Sequence, residues 1–199
     1  PKDCTHELLD TMARCDKVAK HLHLPFQSGS NRVLAEMNRR YTREKYLSLL
    51  EYAYSVMPEL SVTSDVIVGF PGETYEEFRE TVSLVQQANF TSMYTFIFSP
   101  REGTKAASMP DPVSREEKGR WFKELLDAQE VIAAKRTASA VGMVYRVLCE
   151  SVSKGGLIEG RTAVNGIVEF HADSSVIGTV RDGKVTESLT WILRGELAD

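Results

Sequence analysis

The chain has 199 residues, 42% of them hydrophobic and 26% charged, which is typical of a globular protein and excludes a disordered one. Its formal net charge of −4 excludes a protein that holds nucleic acid by bulk electrostatic attraction alone. From residue 141 onward, six Lys/Arg stand against eight Asp/Glu, so any RNA contact there must rely on a few placed groups. No apolar run is long enough to span a membrane.

The amino terminus has neither a start methionine nor a signal peptide, so we expect a piece of a longer chain. The three cysteines, Cys4, Cys15 and Cys149, are odd in number and lack the spacing of metal ligands. They predict reduced thiols in a cytoplasmic protein and no metal site.

Residues 1–140 alternate between helical and extended patterns, which predicts βαβ units, a parallel sheet and an α/β fold. Thr74-x-x-Glu77 and Ser114-x-x-Glu117 predict capping boxes that begin two of the helices. Three such units make half of a barrel or a small open sheet. The elements predicted in chain order are a helix at 6–14, a strand at 20–25, helices at 31–38 and 42–57, a strand at 61–68, a helix after 74, a strand at 92–98 and a helix after 114.

Two of the helices carry apolar stripes that predict their buried faces. The stripe of the helix at 42–57 is Tyr46, Leu49, Leu50, Ala53 and Met57. The inner face of the last helix is predicted to be Phe122, Leu125, Gln129 and Ile132.

The pattern changes after Gly142, and we place a domain boundary near residue 140, between domains 1–140 and 141–199. Short strands without helices, separated by Gly, Asn and Asp, predict a small antiparallel barrel. The strands predicted in it are 144–150, 166–170, 177–181, 184–188 and 191–194.

Three polar or glycine-rich segments follow the three strands of the first domain: HLHLPFQSGS (21–30), SDVIVGFPGET (64–74) and FIFSPREGTKA (96–106). Chemistry in parallel α/β barrels collects at the carboxyl ends of the strands. Strand alternation places the aliphatic residues under the helices and His23, Gln27 and Asp65 on the face that lines the interior, where a polar cofactor could bind.

Each of these groups also has a purely structural interpretation. His21 and His23 could bind a metal, although no third ligand is evident. Asp65 could be a hydrogen-bonded interior carboxylate, and Arg101 either a carboxylate clamp or a solvated loop charge. The turn at 69–73 could hold an anion at a helix amino terminus, or Glu73 could cap it.

The same three segments resemble the fourth, fifth and sixth strand motifs of the radical-SAM methylthiotransferase family. The segments LIEGRT (157–162) and VTESLTWILRGEL (185–197) resemble the family's TRAM domain, a small RNA-binding barrel. The sequence FQSGS (26–30) is similar to the MiaB subgroup, which modifies N6-isopentenyladenosine beside the tRNA anticodon. The subgroup that acts on threonylcarbamoyladenosine tends to differ at Ser30 and is the alternative.

The resemblance implies the carboxy-terminal half of a radical-SAM (β/α)6 partial barrel followed by a TRAM barrel. It also implies an S-adenosylmethionine (SAM) site, two 4Fe-4S clusters in the longer protein, and an anticodon stem-loop as substrate. The residues matched to the SAM site are Gln27 and Ser28 near the ribose, Asp65 and Ile67 on the strand wall, and Arg101 near the methionine carboxylate. The residues matched to RNA contact are Arg161, Thr162, Asn165 and Arg194.

The cluster-binding C-x-x-x-C-x-x-C loop and the three further cysteines of the family are absent from these 199 residues. We therefore expect the chain alone to be inactive and to bind no cluster. A stand-alone RNA-binding module is the competing hypothesis. Because the strand at 20–25 lacks its family neighbour and the interior face lacks its opposite wall, we also expect the chain to self-associate, either by edge pairing or by apposing two half-barrels. The competing outcome is a sheet whose edge is covered by the first helix.

Overall fold

A computed structural model describes residues 1–198. The chain forms an α/β unit and, carboxy-terminal to it, a β-barrel. The helices are α1 (His6–Arg14), α2 (Asn31–Glu36), α3 (Arg43–Val56), α4 (Tyr75–Ala88) and α5 (Arg115–Ala138). The strands are β1 (His21–His23), β2 (Ser61–Val68), β3 (Ser92–Ile97), β4 (Val144–Val152), β5 (Ile158–Thr162), β6 (Ile167–Phe170), β7 (Val180–Ser188) and β8 (Leu193–Leu197).

The α/β unit is built on a parallel sheet with the strand order β1-β2-β3. This confirms the predicted parallel sheet. β1 is shorter than the predicted strand because only three of its residues pair with β2 before Pro25. Beyond that point the chain stays beside β2. The Gln27 N–H donates to the Asp65 carbonyl oxygen at 2.9 Å, and Gln27 forms an isolated bridge with Val66.

The helices cover one face of the sheet, where alternate side chains of β2 enter the core. Val62, Val66 and Val68 have no exposed surface, as the period-two pattern predicts. Burying these side chains stabilises the unit by roughly 1.5–3 kcal/mol each. The predicted stripe of α3 is confirmed, and Leu49 packs at its margin.

The two helix starts that were predicted to carry capping boxes differ. Thr74 and Glu77 form the complete box at α4. At α5 the Ser114 hydroxyl accepts from the Glu117 N–H, but the Glu117 carboxylate accepts instead from the Trp121 indole N–H at 2.9 Å. Trp121 lies in the core, stacked on Phe78 at 5.3 Å, and Phe122, predicted there, is only half-buried.

The inner face of α5 differs from the prediction at its two ends and agrees at its centre. Leu125 and Gln129 are buried as expected, whereas Ala133 rather than Ile132 completes the face. The Gln129 side chain donates to the Phe90 carbonyl oxygen at 3.1 Å, which explains a polar residue in this position.

The second unit is a closed five-stranded barrel with the strand order β4-β5-β6-β8-β7. Its interior is filled by alternate residues of the strands, among them Val147, Val168, Phe170 and Val185. The β6–β8 pair is parallel, so the prediction of a purely antiparallel barrel is wrong for that pair. In the chain β7 follows β6, and in the barrel β8 lies between these two strands.

Two strands of the barrel were predicted wrongly because glycines were interpreted as turns. β5 was missed, although Gly160 lies in it where a Cβ would stand 2.5 Å from the Leu148 carbonyl oxygen. β7 was divided at Asp182-Gly183, yet Gly183 pairs with both Tyr145 and Leu197 inside a continuous strand. Glycine is needed at Gly160 because the backbone of β4 comes close, whereas a Cβ at Gly183 would come closest to the Val147 side chain, at 3.3 Å.

Of the helices among residues 1–198, none combines the length and apolar character that crossing a bilayer requires.

Candidate functional site

The face of the sheet that the helices leave open carries the candidate cofactor site. Asp65 pairs with Tyr94 and Ile67 with Phe96 across β2 and β3, so these four side chains stand together. Tyr94 is 59% and Phe96 52% exposed, which is unusual for sheet aromatics. The face combines a half-buried carboxylate with flat apolar surface.

His23 completes this face from β1 and is held in one orientation by both ring nitrogens. Its Nε2 lies 3.4 Å from the Asp65 carboxylate, and its Nδ1 lies 2.9 Å from the Thr63 hydroxyl. The ring meets Tyr94 edge-on at 5.8 Å. His23 therefore fixes Asp65 and supports a carboxylate that can accept hydroxyl hydrogens.

Gln27 and Ser28 follow β1 and behave differently. Gln27 adopts a left-handed conformation (φ 70°) and is 6% exposed. Within residues 1–198 its amide group makes no hydrogen bond, so it is available to a ligand. Ser28 is fully buried; its hydroxyl lies 3.5 Å from the Thr81 hydroxyl and accepts from the Ser30 N–H at 3.2 Å. Ser28 thus stabilises the conformation of the loop through buried contacts.

The turn after β2 is occupied by its own acidic side chain. The Glu73 carboxylate accepts from the Gly69 N–H at 2.6 Å and the Phe70 N–H at 3.3 Å. Its second oxygen, Oε1, is buried without a hydrogen-bond partner. Burial raises the pKa of Glu73 to about 7, against the opposing effect of the two N–H donors. Of the two interpretations of this turn, the structure favours the cap.

Arg101 lies on the exposed loop between β3 and α5, and its guanidinium has no partner among residues 1–198. Lys118 anchors this loop: it is 5% exposed, forms an ion pair with Asp111, and lies 5.9 Å over the Phe98 ring. Lys105 of the same loop reaches Glu36, the last residue of α2, at 3.8 Å. The loop therefore reaches from β3 to the helix that follows β1.

The residues predicted to contact RNA lie on the barrel, and three of them are already engaged. The Arg161 guanidinium donates to Glu150 at 3.0 Å and to the Asn165 side-chain oxygen at 3.1 Å. The Thr162 hydroxyl is buried and accepts from the Gly166 N–H. Arg194 is exposed and lies 3.9 Å from Glu169 and 3.6 Å from Glu187.

Asn165 also connects the barrel to the sheet. Its Nδ2 lies 3.5 Å from Nε2 of His21, whose Nδ1 lies 3.3 Å from the Ser61 hydroxyl. Burial, His23 and Arg161 together lower the pKa of His21, which favours the neutral ring. Of the four residues predicted to contact RNA, Asn165 therefore joins the two units, and Arg161 donates to its side chain.

The sequence prediction missed Tyr94, Phe96 and the role of His23 in orienting Asp65. The strand pattern holds the signal for the two aromatics, because they alternate with Met93 and Thr95 along β3. The His23–Asp65 contact joins residues of two different strands, and one sequence gives no indication of it.

The residues present do not form a site for an iron–sulfur cluster. Cys4 and Cys15 are half-buried in the α/β unit, and Cys149 is in the barrel core. No group of three or more His, Cys, Asp or Glu side chains in the described part of the chain is placed to hold a metal.

Residues 2–85 match the Radical SAM superfamily. The whole chain is 43% identical to a tRNA-2-methylthio-N(6)-dimethylallyladenosine synthase of Thermoanaerobacter sp. (strain X514), of which it covers 43%. A protein of the same name from Alkaliphilus oremlandii (strain OhILAs) is 44% identical over 99% of the chain, which covers 42% of that protein. The chain thus spans less than half the length of these curated relatives.

Among solved structures, the coproporphyrinogen III oxidase of Escherichia coli, described as a radical SAM enzyme, superposes with a TM-score of 0.56. The match covers 94% of this chain and 45% of that one, at 16% identity. At that identity the likeness shows the fold alone, and it supports a partial radical-SAM sheet.

Proposed function

We propose, from the premise that this chain belongs to the radical-SAM tRNA methylthiotransferase family, that it is part of an enzyme that methylthiolates N6-isopentenyladenosine beside the tRNA anticodon. The observation that carries this proposal is the 43% identity that extends over the whole chain, barrel included. The proposed location is the cytoplasm, where tRNA is modified.

The open face of the sheet suits SAM. Asp65, oriented by His23, would accept hydrogen bonds from the ribose hydroxyls, and the nearly buried amide of Gln27 would add a donor and an acceptor. Ile67 would offer apolar contact to the adenine, and Arg101 would pair with the methionine carboxylate. When bound, SAM supplies a 5′-deoxyadenosyl radical and a methyl group.

Other side chains around this face would support the binding of SAM without contacting its polar groups. Phe96 beside Ile67 would exclude water from the bound adenosine. Glu73 keeps the turn after β2 closed through the Gly69 and Phe70 N–H groups. The two 4Fe-4S clusters of the family require cysteines outside these 199 residues, so the chain alone is proposed to be inactive.

The barrel is proposed to be a TRAM domain that contacts the anticodon stem-loop. Arg194 is the freest of the four predicted residues, since its carboxylate partners lie 3.6 and 3.9 Å away, beyond hydrogen-bond distance, and an ion pair that involves an exposed side chain is weak. Arg161, Thr162 and Asn165 would contribute only after exchanging their present partners.

The alternative substrate is threonylcarbamoyladenosine, whose subgroup tends to differ at Ser30. The Ser30 hydroxyl accepts from the Val33 N–H at 3.4 Å and caps α2, so this residue has a structural role that does not report the substrate. The names of the relatives favour isopentenyladenosine.

The test uses the longer protein encoded by the reading frame that contains this chain, which we expect to supply six further cysteines. Asp65→Asn should lower 2-methylthio product, measured by mass spectrometry of tRNA nucleosides, at least tenfold without lowering the Tm. Asp182→Asn, an exposed carboxylate on β7, is the matched control and should behave like the parent. Product on threonylcarbamoyladenosine alone would establish the alternative, and no product on either nucleoside would refute the function.

A further inference from the structure

A basic surface lies beside the candidate site and takes no part in it. Lys2, Arg39, Arg40 and Lys45 are all exposed, and none makes an ion pair or a side-chain hydrogen bond within residues 1–198. Three of them lie within seven residues of one another: Arg39 and Arg40 are in the connection from α2 to α3, and Lys45 is in the first turn of α3. In a chain with a net charge of −4, such a local excess of unpaired cations is a distinct feature.

The connection that carries the two arginines is held rigidly at the carboxyl edge of the sheet. Asn38 is left-handed (φ 57°), and the Arg39 N–H donates to the Leu34 carbonyl oxygen at 2.8 Å. The Tyr41 hydroxyl donates to the Phe26 carbonyl oxygen at 3.0 Å, immediately before Gln27. The arginines therefore stand next to the loop that follows β1.

A concave groove of about 600 Å³ runs along this surface and is lined by Lys2, Arg40 and Lys45 as well as His6. Two carboxylates lie in the same region. Glu44 already accepts hydrogen bonds from the Asn31 amide at 3.1 and 3.3 Å. Asp3 is exposed on the segment that carries Lys2. The cations therefore outnumber the carboxylates that are free to neutralise them.

The fold does not account for these charges. Lys45 lies in the first turn of α3, where the helix dipole disfavours a cation. Arg39 and Arg40 follow the carboxyl end of α2, where a cation is favourable, but neither side chain donates to its carbonyl groups. Stability therefore gives no reason for the cluster, and a bound polyanion does.

We propose that Lys2, Arg39, Arg40 and Lys45 form a phosphate-binding surface for the RNA backbone that flanks the target nucleotide at the cofactor edge. The proposal rests on the proposed function, because it takes its partner to be RNA. A nucleotide that enters the open face of the sheet brings its neighbouring phosphates to the rim, and placed Lys and Arg side chains neutralise them. An acidic protein segment is the competing occupant that the test distinguishes.

The experiment measures the binding of a fluorescein-labelled anticodon stem-loop RNA to the 199-residue chain by anisotropy over a range of KCl concentrations. Arg39→Ala combined with Arg40→Ala should weaken binding roughly tenfold at low salt. It should also reduce the slope of log K against log [KCl] by about 1.4, the expectation for two phosphate contacts to single-stranded RNA. Circular dichroism should show an unchanged fold.

The control combines Arg14→Ala with Lys17→Ala, two exposed cations at the opposite end of the α/β unit. It should leave both affinity and slope unchanged. Three outcomes would overturn the surface: parent-like binding by the Arg39/Arg40 variant, an equal loss in the control, or equal competition by a polyglutamate peptide of matched charge. Absence of methylthio product from the unsubstituted longer protein, with RNA binding by this surface intact, would instead count against the proposed function, so the two failures are distinguishable.

Discussion

Glu73 should make the stability of the α/β unit decrease between pH 5 and pH 7. Its carboxyl is 2% exposed, and burial raises its pKa from an ordinary 4.5 to about 7. The native state thus binds the proton more tightly than the unfolded state. The stabilisation is fully present below about pH 4.5 and is lost as the pH rises through 7. A difference of about 2.5 pKa units corresponds to about 3 kcal/mol.

The substitution Glu73→Gln keeps an oxygen that can accept from the Gly69 and Phe70 N–H groups and removes the titration. Relative to this variant, the free energy of unfolding of the parent should fall by at most about 1.4 kcal/mol for each unit by which the pH is raised. Urea unfolding at pH 5, 6, 7 and 8 measures the difference. Trp121 fluorescence reports the α/β unit once the exposed Trp191 is replaced by Phe in every variant.

Glu76→Gln is the matched control, since Glu76 is exposed in the first turn of the same helix. It should show no pH-dependent difference from the parent of this size. A free-energy difference between the parent and Glu73→Gln that stays constant within about 0.5 kcal/mol over the four pH values would refute the reasoning from burial. This threshold is of the order of typical surface effects.

The chain should bind no iron–sulfur cluster, because its three cysteines do not converge; stoichiometric iron with a stable brown 4Fe-4S absorption after anaerobic reconstitution would contradict this. Arg194→Ala should weaken stem-loop binding more than Arg161→Ala, because Arg161 already has two close partners; equal binding of both variants and the parent would remove the barrel assignment. The chain should self-associate through its open sheet face, so light scattering on dilution should show dissociation, and Tyr94→Thr combined with Phe96→Thr should give a monomer. A monomeric parent at high concentration would exclude this association.

The parallel sheet was predictable because its evidence is local. Aliphatic residues alternate along β2 with Thr63, Asp65 and Ile67, and the two faces separate as the pleat requires. The positions of Asp65 and Ile67 on the open face followed from the same alternation. The capping box at Thr74 was equally local.

What could not be predicted depends on contacts between distant segments. Gly160 and Gly183 are strand residues because neighbouring strands approach them, and a single sequence presents them as turn residues. The partners of Arg161 and Asn165 come from β4 and from His21, which precedes Asn165 by 144 residues. Trp121 occupies the core position predicted for Phe122, because it stacks on Phe78, which is 43 residues away in the sequence.

The position of β8 has a consequence for synthesis on the ribosome. β8 pairs with β6 on one side and β7 on the other, and it includes residues 193–197. The barrel therefore cannot close until residues 193–197 have been translated, whereas β1, β2 and β3 are all available once residue 97 has emerged. The α/β unit can begin to fold during translation, while β6 and β7 each keep one unpaired edge until β8 is available.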